Sequence, residues 1–212
     1  MNSKHKKIIL LSPFITIIVN FLAAYLFGNL IGKWAFIPMI LIGWGLWLFY
    51  VLKYSENNFI RKWLTKPQGS FGWGILALSV GLLPLPLFIF HRDTLSEWYV
   101  WLPWIILALI NPWIEEFYWR GLLLNYLRDW KRWQSVLFTA IVFAVNHAAF
   151  GVNSQLNSGF EVVSSTFIMG VVWAIVYYKT QSLRWVIFSH FLVDFLSLSA
   201  PAFLDLFEKN GF

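Results

Sequence analysis

Long apolar runs are the feature that most constrains the fold of this 212-residue chain. Seven of them approach or exceed the roughly 20 residues that an α-helix needs to cross a bilayer. They lie at 8–27, 34–51, 71–90, 99–127, 135–150, 162–178 and 185–200. Because backbone polar groups find no water inside a bilayer, such runs must form helices. The sequence therefore predicts an all-α, polytopic transmembrane helix bundle with about seven spans, in a single domain over residues 1–212.

The composition supports a membrane protein and excludes a soluble domain. Apolar residues make up 59% of the chain and charged residues only 12%, whereas a soluble domain has about 25% charged residues. The chain has no Cys, which excludes disulfide bonds and thiolate metal sites. The net charge of +6 arises mainly from Lys and Arg in the short connectors between apolar runs. It is therefore interpreted as a topology signal, and no nucleic-acid partner is predicted.

The distribution of Lys and Arg predicts the orientation of the chain. With seven spans and the N-terminus inside, twelve of the sixteen Lys and Arg residues lie on the cytoplasmic side, three lie outside, and Arg120 lies in the membrane. This asymmetry predicts a multi-pass cell-membrane protein with a cytoplasmic N-terminus and a retained first helix. The run at 99–127 is too long for one straight span, and Asn111-Pro112 offers a break in it that would make eight spans.

Glu115, Glu116 and Arg120 lie together in one apolar run, where a charge near the bilayer centre costs roughly 3 kcal/mol. Residues four apart share a helix face, so Glu116 and Arg120 are predicted to form an ion pair. Glu115 is rotated by about 100° from Glu116 around the helix and is the candidate general base. The alternative is that both glutamates only satisfy Arg120 and a neighbouring helix.

His147, His190 and Asp194 are the other ionisable residues in the late apolar runs. His190 and Asp194 are four residues apart, so Asp194 is predicted to orient His190 and leave one ring nitrogen free for an oxyanion or a metal. Straight helices would place His190 closer to the cytoplasmic end than Glu115. We therefore expect either a submerged 179–184 turn or a tilted last helix to bring these residues together.

Three motifs follow one another on the late runs: Glu-Glu-x-x-x-Arg, Phe-x-x-x-His and His-x-x-x-Asp. In this order they resemble the type II CAAX prenyl endopeptidase family, also called CPBP intramembrane proteases, and in particular its bacterial branch. That branch includes bacteriocin-processing and self-immunity proteins. The resemblance covers roughly residues 98–200, and the motifs lie within 112–200.

The resemblance implies a role for each motif. The implied catalytic residues are Glu115, His147, His190 and Asp194, and the implied supporting residues are Glu116 and Arg120. Glu115 with His147 would activate a water molecule, and His190 with the residue four positions on would form the oxyanion site. The eukaryotic enzymes carry Asn at the position of Asp194, and an ionised carboxylate cannot donate to an oxyanion. We therefore expect Asp194 to act through His190 as an orienting acceptor.

The function predicted from the sequence is an intramembrane endopeptidase. It would hydrolyse a peptide bond of a membrane-associated or lipidated protein or peptide, surrounded by membrane lipids. The alternative is a non-catalytic membrane immunity or scaffold protein that keeps the same polar core. A third option is a transporter that uses Glu115 and Asp194 as a proton relay, but the sequence lacks the repeats expected for one.

No cofactor is favoured by the sequence, and Zn²⁺ is the metal that it leaves open. Glu115, His147 and His190 could supply the three protein ligands of a catalytic zinc. However, the helical His-x-x-x-His ligand pair is missing. A zinc-bound Glu115 would also no longer be free as a base. The prediction is therefore a metal-free reaction driven by glutamate.

Overall fold

The computed structural model describes residues 3–207, and those residues form helices without any strand. The α-helices are α1 (Ser3–Ile31), α2 (Phe36–Tyr54), α3 (Phe59–Trp63), α4 (Gly72–Gly81), α5 (Leu85–His91), α6 (Trp98–Glu116), α7 (Leu124–Tyr126), α8 (Arg132–His147), α9 (Phe160–Thr180), α10 (Arg184–Leu196) and α11 (Ser199–Phe203). Short 3₁₀ turns lie at Gly32–Ala35, Arg92–Ser96 and Ala148–Val152, and a π-helical segment lies at Phe117–Leu123. The predicted all-α class is confirmed.

Five stretches of the described residues are long and apolar enough to cross a membrane. They are Ser3–Tyr54, Gly72–Ser96, Trp98–Tyr126, Arg132–Val152 and Phe160–Thr180. The first of them holds both α1 and α2, which are separated by a turn where Gly32 adopts a φ of 59°. The five stretches cover the first six predicted runs to within one residue. The number of spans and the orientation of the N-terminus remain predictions.

The fourth apolar run is not broken at Asn111-Pro112, where the sequence offered a break. Helix α6 continues through both residues to Glu116, and the chain then passes into the π-helical segment. Asn disfavours helices when its side chain bonds to the nearby backbone. Here the side chain of Asn111 instead bonds to Trp44 and Asp194 on other helices. The expected local break is therefore overridden by tertiary contacts.

The seventh apolar run, at 185–200, is divided between two helices. Helix α10 ends at Leu196, and α11 begins at Ser199 after Leu198 adopts a left-handed φ of 53°. With 13 residues, α10 is about 20 Å long, which is shorter than the roughly 30 Å hydrocarbon core of a bilayer. The run is therefore not one continuous helix, and its crossing of the membrane stays a prediction.

The turn between α9 and α10 is buried against the connection from α3 to α4. The backbone N–H of Leu183 donates to the Trp63 carbonyl at 2.8 Å, and the Ser182 hydroxyl donates to the Thr65 carbonyl at 2.6 Å. Ser182 and Leu183 are both fully buried. The turn therefore packs against the α3–α4 connection through Ser182 and Leu183, and this contact fixes the start of α10. Whether the turn is submerged in the membrane or the last helix is tilted stays a prediction.

Helix α10 is held close to α4 and α9 by Ser189. The Ser189 hydroxyl donates to the Ala77 carbonyl of α4 at 2.6 Å and accepts a hydrogen bond from the Trp173 indole of α9 at 2.9 Å. Gly81 of α4 lies directly against the backbone of Ser189. A methyl group on Gly81 would be 2.9 Å from the Ser189 carbonyl oxygen. The close packing of α4 on α10 therefore depends on the absence of a side chain at position 81.

We predict that Gly81→Ala destabilises the fold, although Ala is intrinsically the better helix former by about 0.5–1 kcal/mol. The new methyl group would push α4 away from α10, and overpacking of this kind costs about 1–3 kcal/mol. Gly45 is the matched control, because it lies inside α2 and a methyl group there meets nothing within 4 Å. Thermal unfolding in detergent micelles should show a lower Tm for Gly81→Ala only. Equal Tm values for the two variants would contradict the proposed contact.

Candidate active site

The first motif lies where α6 passes into the π-helical segment, at the centre of the largest apolar core. Its three ionisable side chains are almost inaccessible: Glu115 is 3% exposed, Glu116 is 0% exposed and Arg120 is 1% exposed. A π-helical turn widens the helix, and such turns are frequent at functional sites. Buried charges need partners, and the neighbouring helices provide them.

Glu116 binds two cationic or donor groups through a single oxygen. Its Oε1 accepts a hydrogen bond from Arg120 Nη1 at 2.8 Å and another from His190 Nδ1 at 2.7 Å. The ion pair predicted from the four-residue spacing is confirmed. The bond to His190 was not predicted, because the two residues are 74 positions apart in the chain and lie on different helices. Glu116 therefore connects the first motif to the third.

His190 lies between two carboxylates. Its Nδ1–H donates to Glu116, while its Nε2 is 3.6 Å from Oδ1 of Asp194. The shorter contact to the ring is therefore the one to Glu116, and the expectation that Asp194 orients His190 stays a prediction. The ring also stacks on Trp173, with centroids 4.6 Å apart and an angle of 23° between the planes. These contacts fix the ring and direct Nε2 towards Asp194.

Arg120 is enclosed by aromatic rings rather than by further acceptors. Its guanidinium carbon lies 4.2 Å from the centroid of Phe143 and 5.2 Å from that of Trp173. Its Nε and Nη2 atoms have no hydrogen-bond partner in the described part of the chain. Cation–π attraction of about 2 kcal/mol is reached when such a contact is desolvated. The two rings thus stabilise a cation that a single carboxylate oxygen would leave undersatisfied.

Glu115 and His147 face each other across a short gap. The Nδ1–H of His147 donates to the Phe143 carbonyl at 2.9 Å, which leaves Nε2 as the other ring nitrogen. That Nε2 is 3.8 Å from Oε2 of Glu115. Within residues 3–207, Oε2 of Glu115 has no hydrogen-bond partner. The two groups are close enough for one small molecule to contact both of them.

Asn111 and Trp44 join the site, although the sequence reasoning did not select them. Asn111 Nδ2 donates to Oδ2 of Asp194 at 3.0 Å, and the Trp44 indole donates to Oδ1 of Asn111 at 2.8 Å. Asn111 could have been selected from the sequence, because it precedes Glu115 by four residues and so shares its helix face. It was missed because Asn111-Pro112 was interpreted only as a helix break.

A cavity of about 610 Å³ connects these residues. Its lining includes the polar groups Asn111, Glu115, His147, His190 and Asp194. Most of the remaining lining is apolar and comes from α5, α9, α10, α11 and the connectors beside them. All four residues implied as catalytic by the sequence therefore border one space, while Glu116 and Arg120 lie behind it.

One end of the cavity is bordered by α11, whose position is secured by Asp205. The Asp205 carboxylate accepts hydrogen bonds from the Ser154 hydroxyl and from the backbone N–H groups of Gln155 and Leu156, and it pairs with Lys33 at 3.1 Å. Burial opposes the ionisation of Asp205, but these four contacts lower its pKa to about 2. Because the folded pKa is depressed, this stabilisation is present above pH 4 or so and is lost as the pH falls towards 2.

The donor set does not form the three-ligand metal site that the sequence left open. Among residues 3–207, no group of three or more His, Asp or Glu side chains has an arrangement that could hold a metal ion. His190 Nδ1 is bonded to Glu116 and its Nε2 lies 3.6 Å from Asp194, while Glu115 and His147 are 3.8 Å apart. These residues therefore do not fit a zinc site with three protein ligands.

Comparison with known proteins gives one finding. Residues 97–196 match the model of the family described as Type II CAAX prenyl endopeptidase Rce1-like. This region begins just before α6 and ends with α10, so it holds all three motifs. No curated protein and no solved structure matches the chain.

We predict that Glu116→Gln destabilises the protein by about 3–5 kcal/mol, the usual cost of removing one partner from a buried ion pair. The substitution removes the charge that compensates Arg120 and leaves a neutral amide oxygen to accept the hydrogen bonds from Arg120 and His190. Glu97→Gln is the matched control, because Glu97 is exposed and makes no ion pair among residues 3–207. Chemical unfolding in detergent micelles measures both. A Glu116→Gln variant as stable as Glu97→Gln would contradict this role.

Proposed function

We propose, from the match of residues 97–196 to the model of the type II CAAX prenyl endopeptidase Rce1-like family, that the chain is an intramembrane endopeptidase. The single observation that carries this proposal is the pair formed by Glu115 and His147, 3.8 Å apart on the wall of a largely apolar cavity. A buried carboxylate oxygen without a hydrogen-bond partner is costly for the fold. Such a group is expected where it has a chemical task.

The gap between Glu115 and His147 suits an attacking water molecule. A water molecule there would donate one hydrogen bond to Oε2 of Glu115 and one to Nε2 of His147. Glu115 would take a proton from the water as its oxygen bonds to the substrate carbonyl carbon. The carbonyl oxygen would then carry the negative charge of the tetrahedral intermediate, next to His190 and Asp194. When the C–N bond breaks, Glu115 would return the proton to the leaving nitrogen.

The shape of the cavity favours an apolar substrate segment. Leu83 and Leu87 line it from the α4–α5 side, Ile168 and Met169 from α9, and Val193 from α10. A volume of about 610 Å³ is typical of small-molecule and peptide sites. The proposed substrate is therefore an extended stretch of a membrane-associated or lipidated protein or peptide. Membrane lipids would surround the protein while the substrate enters the site.

The non-catalytic alternative, an immunity or scaffold protein, explains less of this geometry. A scaffold would need the buried bonds of Glu116 with Arg120 and His190, because these connect α6 to α10. It would not need Glu115, which connects to no helix by a hydrogen bond through Oε2. The proposed enzyme needs both features.

We predict that Glu115→Gln leaves the fold intact and lowers turnover by about 10²–10⁴-fold, the usual effect of losing a general base. The amide keeps the size of the side chain but cannot accept a proton from water. Cleavage is measured by mass spectrometry of apolar peptides incubated with the protein in lipid vesicles. Glu97→Gln should retain full turnover and serves as the control. Wild-type turnover in the Glu115→Gln variant would contradict the proposed mechanism.

We further predict that removal of metal ions does not abolish cleavage, because no three His, Asp or Glu side chains among residues 3–207 are arranged to hold a metal ion. Protein treated with a strong chelator, and shown by elemental analysis to be free of Zn, should cleave the same peptides at an unchanged rate. Loss of cleavage that returns with one equivalent of Zn²⁺ would overturn the metal-free mechanism.

A further inference from the structure

We propose that Asn111 is a catalytic residue whose side-chain amide donates a hydrogen bond to the oxyanion of the tetrahedral intermediate. This inference rests on the proposed function and adds a group that none of the three motifs contains. Three observations support the inference. Two neighbouring helices fix the orientation of the Asn111 amide, the amide lines the cavity, and Asp194 carries a negative charge beside it.

The orientation of the Asn111 amide is determined by Trp44. An indole N–H can only donate, and it contacts Asn111 at 2.8 Å. The group that faces Trp44 must therefore be the acceptor, Oδ1, and Nδ2 must lie on the opposite side. This assignment does not depend on the protonation of any other residue. The same orientation agrees with the bond of 3.0 Å from Nδ2 to Asp194, because a carboxylate accepts.

One of the two N–H groups of Asn111 Nδ2 is not used in the hydrogen bond to Asp194. An amide nitrogen carries two hydrogens, and only the bond to Asp194 is made by Nδ2 within residues 3–207. Asn111 lines the same cavity as Glu115 and His147, and it lies one helical turn before Glu115 on the same face of α6. The second N–H is therefore available to a substrate atom in the cavity.

The charge of Asp194 creates the need for such a donor. An ionised carboxylate cannot donate a hydrogen bond and repels a developing oxyanion. Asp194 lies 3.6 Å from His190 Nε2, at the place where the oxyanion would form in the proposed reaction. The Asn111 amide offsets this repulsion in two ways, because one N–H binds Asp194 and the other can bind the oxyanion.

Asn111 acts in the proposed reaction while water attacks the carbonyl carbon of the substrate. Water oxygen forms a bond to the carbonyl carbon, the proton passes to Glu115, and the electron pair of the C=O π bond moves to the carbonyl oxygen. Asn111 Nδ2–H donates to that oxygen and becomes a stronger donor as charge develops there. Collapse of the intermediate re-forms the C=O bond and breaks the C–N bond, and Glu115 protonates the leaving nitrogen. Asn111 neither gains nor loses a proton.

The test compares Asn111→Leu with the wild-type chain in lipid vesicles. The probes are a quenched-fluorescence peptide of Leu, Val and Ala residues and a phosphinate analogue in which a tetrahedral phosphorus replaces the scissile carbonyl carbon. Loss of one oxyanion donor usually lowers kcat by about 10²–10³-fold. We expect that loss with KM changed less than about threefold. The affinity for the phosphinate should fall together with kcat/KM, because only the tetrahedral species uses the amide.

Trp44→Phe provides a second variant in case Asn111→Leu does not fold. It retains Asn111 but removes the donor that fixes the amide, so Trp44 acts as a positioning residue and a smaller loss of kcat is expected. Trp104→Phe is its matched control, because the Trp104 indole donates to the Phe195 carbonyl at 2.9 Å and does not line the cavity. That control should keep wild-type kcat and phosphinate affinity.

The outcomes separate this inference from the proposed function. Cleavage by the wild-type chain that is lost in Glu115→Gln but unchanged in folded Asn111→Leu or in Trp44→Phe would overturn the inference and leave the endopeptidase intact. A parallel rise in KM and in the dissociation constant of the phosphinate, with kcat unchanged, would also overturn it, since that pattern indicates ground-state binding. Failure of the wild-type chain to cleave the peptide would refute both.

Discussion

The arrangement of the site depends on the carboxylate of Glu116. One of its oxygens binds both Arg120 of the π-helical segment and His190 of α10, and all three side chains are removed from solvent. In a medium of low polarity an unpaired charge would cost several kcal/mol. The chain therefore has to bring α6 and α10 together at this level. Once this contact exists, His190 and Asp194 face the same cavity as Glu115.

The aromatic residues around this ion pair separate the supporting charges from the cavity. Phe143 and Trp173 cover Arg120, and Trp173 also stacks on His190. The supporting charges are thus enclosed, whereas Glu115 and His147 border the open cavity. Electrostatic interactions are stronger where water is excluded. Glu116 can hold a rigid framework, while Glu115 at the cavity remains free for proton transfer.

Much of the architecture could be predicted from the sequence, because it follows from local rules. Backbone polar groups find no water in a bilayer, so apolar runs must be helical there. Residues four apart in such a helix share one face. These rules predicted the all-α class and the pair of Glu116 with Arg120, both of which are confirmed. The same rules could not predict the course of the chain at 99–127 and 185–200. Asn111 is held by partners on other helices, and α10 ends early at Leu196.

The sequence by itself determined the helical class, the approximate extent of most apolar segments and the identity of the ionisable residues. Periodicity relates only residues within one helix, so it could pair Glu116 with Arg120 but could not connect Glu116 to His190, which is 74 residues away. Only the tertiary structure decided that Glu116 bonds to His190, and that Trp44 and Asn111 join Asp194 at the cavity wall. The physical reason is that a buried hydrogen bond requires two groups to meet at one point in space, and helix packing alone sets that point.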